Sequence, residues 1–127
     1  MTIAIGTDIV EIDRIGQTWS RQGDRIVLRI LVPSEREKFE SFNNDTLKVA
    51  FLAKRWCGKE AIAKALGTGI AKGVGFQEIE ISHDDLGAPL VTLHGGALAR
   101  LHLLGASKAL ISLSDERHYA VAFCTLT

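Results

Sequence analysis

The stretch from Thr46 to Leu66, TLKVAFLAKRWCGKEAIAKAL, has no proline and is rich in alanine, leucine and lysine, so it predicts one long helix. On a helical wheel, Lys48, Arg55 and Lys59 share one side, the expected solvated face. Glu60 and Lys64 lie well away from it, beside Val49, Ala53 and Cys57. Glutamate and lysine are rarely fully buried without a partner. Glu60 is therefore either buried and paired or it lines a site, and the helix that carries it is the main element of the domain.

The flanking sequence predicts the remaining elements. TIAIGTDIVEI near the N-terminus alternates as a strand, with Ile3, Ile5 and Ile9 on one side and Ala4, Gly6 and Asp8 on the other. Asp13 is a candidate cap for a helix running to about Trp19; a break is expected at Gly23, with a further helical turn or two reaching Leu31. PSERE opens a helix to about Phe42, with Ser34 and Glu37 at capping-box spacing. Asp45 is a candidate cap for the long helix, which GTGIAKGVG (67–75) follows as a glycine-rich loop. Residues 76–93 read as a hairpin, 95–105 as a short helix stopped by Gly105, and 109–126 as a second hairpin turning at DERH. The sum is one α+β domain over residues 1–127, with helices mostly in the first half and antiparallel sheet in the second.

Composition narrows the function. The 127 residues are 46% hydrophobic and 24% charged with zero net charge, as in an ordinary soluble domain and unlike a general nucleic-acid binder. No apolar run is long enough to span a bilayer, and the N-terminus lacks a signal peptide's basic start. Cys57 and Cys124 sit in apolar patterns and read as reduced thiols in a cytoplasmic protein. Zinc-ligand spacing, a nucleophile elbow and a catalytic histidine constellation are all missing.

Chemistry could sit at four places, each with a plain alternative. Asp8 is either a strand-end cap or, together with Glu60, a ligand for a hard cation such as magnesium, which takes one or two carboxylates and fills its shell with water and phosphate. Lys64 either pairs with Glu60 four residues away or meets a phosphate as a point charge. The loop at Gly67, Thr68 and Gly69 is either a helix stop or a set of unhindered amides for a phosphate or adenine. Arg14, Arg21 and Arg25 form one basic stripe if their segment stays helical, either a solvated face or a dock for an acidic partner.

In order along the chain, IGTDIVEIDRI, FLAKRWCGKEAIAKALGTGI, FQEIEISHDDLGAPLVTL and SLSDERHYAVAF resemble the holo-acyl-carrier-protein synthases, small bacterial phosphopantetheinyl transferases. The resemblance covers nearly the whole chain. It implies the phosphopantetheinyl transferase fold and magnesium-dependent transfer of 4′-phosphopantetheine from coenzyme A to a serine of apo-acyl carrier protein in fatty acid biosynthesis. It assigns the metal to Asp8 and Glu60, the coenzyme A phosphates to Lys64, and the nucleotide site to Gly67, Thr68 and Gly69. It places carrier docking at Arg14 to Arg25. Many relatives carry histidine where this chain has Asp115, so a nucleotide contact made by that histidine does not carry over.

The resemblance also implies a homotrimer with active sites between subunits. The strands agree with a second layer, since ALISLS and YAVAFCT are apolar on both faces, which a lone antiparallel sheet rarely is. Two rival readings stay open. One is a different small metal-using enzyme acting on nucleotides or phosphates. The other is a non-catalytic binding module whose Glu60 and Lys64 form only a salt bridge.

Overall fold

The computed structural model describes residues 1–127. Strand β1 (Ala4–Glu11) leads directly into α1 (Ile12–Gln22), α2 (Asp24–Ile30), α3 (Pro33–Ser41) and the long α4 (Asp45–Ala65). After the glycine-rich loop and a 3-10 turn at Phe76–Glu78 come β2 (Ile79–His83), β3 (Pro89–Leu93), α5 (Gly95–Leu103), β4 (Ala109–Asp115) and β5 (Tyr119–Leu126). The sequence therefore predicted every main element.

The strands form two antiparallel sheets, one of order β1-β5-β4 and one pairing β2 with β3. Register in the larger sheet puts Gly6 opposite Cys124 and Asp8 opposite Ala122. α4 lies across the inner face of this sheet, on which Ala120, Ala122, Cys124 and Leu126 are buried. Contact is close because the facing residues are small. A Cβ on Gly6 would run into the carbonyl oxygen of Ala61 and come within 2.6 Å of the Ala65 nitrogen, so only glycine permits this crossing.

The outer face of the same sheet is bare. Ile5, Ile9, Leu110, Tyr119, Val121 and Phe123 point outward, with Ile9 at 63% and Phe123 at 46% exposure. The expectation of two apolar faces holds, and the chain's own helices cover one of them.

Local expectations fail at the helix ends and on α4. The chain enters α1 through Glu11, so Asp13 lies inside the first turn, and the helix extends past Trp19 to Gln22. An acidic side chain there still suits the positive end of the helix dipole. Asn44, not Asp45, caps α4, its Oδ1 accepting from the Leu47 amide at 2.8 Å. At α3 it is Glu35, not Glu37, whose carboxylate reaches back to the Val32 amide (2.9 Å), while Ser34 Oγ donates to Glu80.

The largest correction concerns the face assigned to solvent. Lys59 is 0% exposed, Arg55 is buried and Lys48 is half-buried. The Lys59 ammonium donates to the Ile30 carbonyl (2.6 Å), the Phe76 carbonyl (3.1 Å) and Glu35 Oε1 (2.6 Å). Glu35 Oε2 accepts from the Ile81 amide and lies 3.4 Å from Arg55 Nε. A buried carboxylate on another helix reverses what the wheel suggests, because charge is tolerated inside where it is paired and hydrogen-bonded.

Candidate active site

Strand β1 and helix α4 bring the predicted residues together. Asp8 sits two residues beyond the Gly6 crossing, on the face of β1 that meets α4. Its carboxylate Oδ1 accepts from Lys64 Nζ at 2.9 Å, and the same ammonium donates to the Thr7 carbonyl at 3.0 Å. Beneath them Cys57 Sγ donates to the Asp8 carbonyl at 3.1 Å, which ties the strand to the helix a second time. Burial pushes the Cys57 thiol up to about 12, with the Asp8 charge adding to the effect. It stays protonated and acts as a donor, not a nucleophile.

Glu60 shares a cleft of about 490 Å³ with Asp8, Arg14, Arg21 and Trp56. Burial, then the Asp8 charge, raises the Glu60 carboxyl above its usual range, against the opposing pull of Lys64 and Arg29. Two carboxylates so placed repel each other, and a hard cation between them would relieve both the burial cost and the repulsion. The donor set, two carboxylates with no histidine or thiolate, suits magnesium with its remaining positions taken by water and phosphate oxygen. Lys64 pairs with Asp8 rather than with Glu60, so the intrahelical salt bridge considered for Glu60 is not what forms.

Other sequence-predicted residues divide. Arg14 and Arg21 line the cleft, about two turns apart on α1. Arg25 does not, because Gly23 (φ 57) breaks the helix and moves Arg25 onto α2, where it is exposed. Gly67, Thr68 and Gly69 follow directly on α4, with Gly67 and Gly69 at positive φ. Gly67 and Thr68 line a different hollow, beside Lys72, Gly96 and Arg100. The Arg100 guanidinium donates to the Leu66 carbonyl at 2.8 Å and so fastens α5 to the end of α4. Asp115 pairs with Lys54 at 3.3 Å, and His118 sits in the exposed turn where Glu116 accepts from its amide.

A second cavity, of about 620 Å³, escaped the sequence reading. Lys38, Lys54, Arg55 and His83 line it together with Glu35, which pairs with Arg55, and with Phe42, Phe51 and Pro89. Its cationic lining comes from α3, α4 and β2, and no local motif joins three elements so far apart. Burial and the neighbouring Arg55 charge lower the His83 pKa from its usual value.

The family model for the 4′-phosphopantetheinyl transferase superfamily matches residues 4–124. A holo-[acyl-carrier-protein] synthase of Shewanella amazonensis is 52% identical over 124 residues, covering 98% of this chain and 97% of the relative. Among solved structures, the holo-[acyl-carrier-protein] synthase of Neisseria meningitidis superposes with a TM-score of 0.89 at 40% identity, covering 100% of this chain and 99% of the other. That of Helicobacter pylori, in complex with coenzyme A, gives 0.83 at 31% identity, covering 97% and 99%. The chain belongs to the 4′-phosphopantetheinyl transferase superfamily. Within it, the chain is similar over nearly its whole length to enzymes named holo-[acyl-carrier-protein] synthase.

Proposed function

We infer that the chain transfers 4′-phosphopantetheine from coenzyme A to a serine of apo-acyl carrier protein, releasing adenosine 3′,5′-bisphosphate, a step that serves fatty acid biosynthesis. The observation that carries this is the meeting of Asp8 and Glu60 at one cleft, with Lys64 bonded to Asp8, in a chain of this superfamily. Transfer of a phosphoryl group between two oxygens depends mainly on positioning and on neutralising charge. Asp8 and Glu60 would hold Mg²⁺, which supplies charge neutralisation at the phosphates when bound. Lys64, half exposed at the rim, is placed to exchange its bond to Asp8 for one to a phosphate oxygen.

The rest of the surface supports the same reading. Arg14 and Arg21 border the cleft where the carrier's serine must enter, and acidic side chains of the carrier would meet them, with Arg25, exposed on α2, as an outlying contact. Gly67, Thr68 and Gly69 would line the nucleotide. The cavity lined by Lys38, Lys54 and Arg55 fits a further phosphate, with His83 as a neutral hydrogen-bonding partner. This cavity shares no lining residue with the cleft, and in a ring of chains the two would face one coenzyme A from neighbouring subunits. The bare outer face of β1, β5 and β4 supports such neighbours, and we assign a homotrimer with sites between subunits. No helix is long and apolar enough to cross a membrane, and both cysteines are free, which supports a cytoplasmic location.

Incubation with apo-acyl carrier protein, coenzyme A and Mg²⁺ tests the activity. The carrier should gain the mass of one phosphopantetheine. No gain, with the carrier competent toward another transferase, would overturn the assignment.

A further inference from the structure

Helix α4 faces the sheet with a smooth stripe. Ala53, Cys57, Ala61 and Ala65 recur every fourth residue, and Gly6, Ala120 and Ala122 lie on the facing strands. Small residues allow close approach but interlock poorly, so the rotation of the helix about its own axis is set by polar ties at its edges, with Cys57 and Lys64 holding it to β1 on the strand side. Glu60 must point at Asp8. A roll of about 20° moves a group 5–6 Å off the axis by roughly 2 Å, while a metal ligand tolerates a misplacement of about 0.5 Å.

On the side of α4 away from the stripe sits Lys59, the residue before Glu60. All three hydrogens of its ammonium are used, toward Ile30 at the end of α2, Glu35 on α3 and Phe76 ahead of β2. Glu35 is held in turn by the Val32 and Ile81 amides at 2.9 Å each. We propose that Lys59, clamped to Glu35, is the positioning residue that sets the rotation of α4 and thereby aims the Glu60 carboxylate at Asp8. Stability alone does not account for the pair, because well-packed apolar residues in place of a buried ion pair are often as stable or more so. Directional bonds from one ammonium to three separate elements supply what an apolar plug lacks, a defined angle. Lys59 lies outside the Asp8–Glu60 cleft, while Glu35 also borders the second cavity beside Arg55, so the clamp's effect on the metal is read without coenzyme A.

This proposal rests on the reading of Glu60 as a metal ligand. It is tested with Glu35→Gln/Lys59→Met, which removes both charges together, and with Glu35→Asp, which keeps both and shortens one arm. The probe is Mn²⁺ titrated calorimetrically without coenzyme A or carrier, so neither turnover nor coenzyme A binding enters the measurement. The folded double variant should bind Mn²⁺ about tenfold or more weakly, with the metal concentration for half-maximal activity rising in parallel. Affinity within about twofold of wild type in the folded double variant would overturn the proposal. Should the double variant not fold, Glu35→Asp decides: weakening of roughly threefold or more supports the clamp and an unchanged affinity overturns it. Glu60→Gln runs alongside. Its loss of Mn²⁺ beside retention in the clamp variants removes only the clamp, whereas retention in Glu60→Gln removes the metal assignment itself and the clamp with it.

Discussion

The Lys64 ammonium and the Asp8 carboxylate meet at 2.9 Å, joining the last turn of α4 to the middle of β1. The hydrogen bond to Asp8 raises the Lys64 pKa from its ordinary value, so the lysine is cationic throughout the physiological range. Half of its side chain faces solvent, and an exposed pair of this kind adds little to folding. Lys64→Met should therefore leave the unfolding temperature almost unchanged. Turnover should fall about a hundredfold, since one charge-assisted contact to a transferring phosphate is worth roughly 2–3 kcal/mol and each 1.4 kcal/mol is tenfold. Steady-state kinetics on the folded variant decides it, and turnover within about twofold of wild type would remove Lys64 from the phosphate-binding set.

Glu60 yields a pH-dependent expectation. Its folded-state pKa is raised, by burial first and by Asp8 second. A raised carboxyl pKa means the folded state binds the proton more tightly than the unfolded chain does. That contribution to stability is complete below the unfolded value and is lost as pH rises through the folded one. At pH 7 without metal, ionised Glu60 thus costs stability. Glu60→Gln should unfold at a higher temperature than wild type at pH 7 in chelator, and the advantage should vanish near pH 4. The same variant should lose nearly all turnover. A lower unfolding temperature at pH 7 would contradict the raised pKa, and near-normal turnover would contradict the ligand role.

Asp8 and Glu60 were legible in the sequence because each is a charged side chain in an apolar setting, and a strand and a long helix were the elements that could bring them together. The 21-residue α4 was legible because nothing in it forces a break. Its orientation was not. A helical wheel gives angles between residues on one helix and says nothing of where the partner lies, so Lys59 and Arg55 were assigned to solvent although Glu35, 24 residues before Lys59, waits for them inside. The same limit hid the cationic cavity at Lys54 and His83, whose residues meet only after β2 packs beside α3 and α4. Arg25 left the basic stripe for a local reason, the turn at Gly23.

Arg14 tests the carrier surface. It borders the cleft on α1 and is exposed, so a reversed charge there should not disturb the core. Arg14→Glu should raise the KM for carrier by about tenfold or more and that for coenzyme A by much less, because like charge at a docking rim slows encounter. In the wild type the carrier KM should also rise with added salt, as screening acts over about 8–10 Å at ordinary ionic strength. An unchanged carrier KM in Arg14→Glu would reduce the arginines to a solvated face.

The outer face of the larger sheet carries the expectation for assembly. Phe123 pairs with Thr7 on β1 and Ser112 on β4, and its exposed ring lies among Val121, Leu110 and Ile5. A contiguous apolar face of this extent on a free monomer favours association with another surface like it. The inner residues Ala122 and Cys124, which hold α4, lie on the opposite side of β5, so a charge at position 123 leaves the core packing alone. Phe123→Glu should therefore yield a folded chain that sediments as a monomer. Under the proposed shared site it should also lose most of its activity. Sedimentation equilibrium of the wild type at micromolar concentration gives the reference, with a mass three times that of the chain expected. A fully active wild-type monomer would refute the shared site, and a Phe123→Glu trimer with full activity would move the interface elsewhere on the surface.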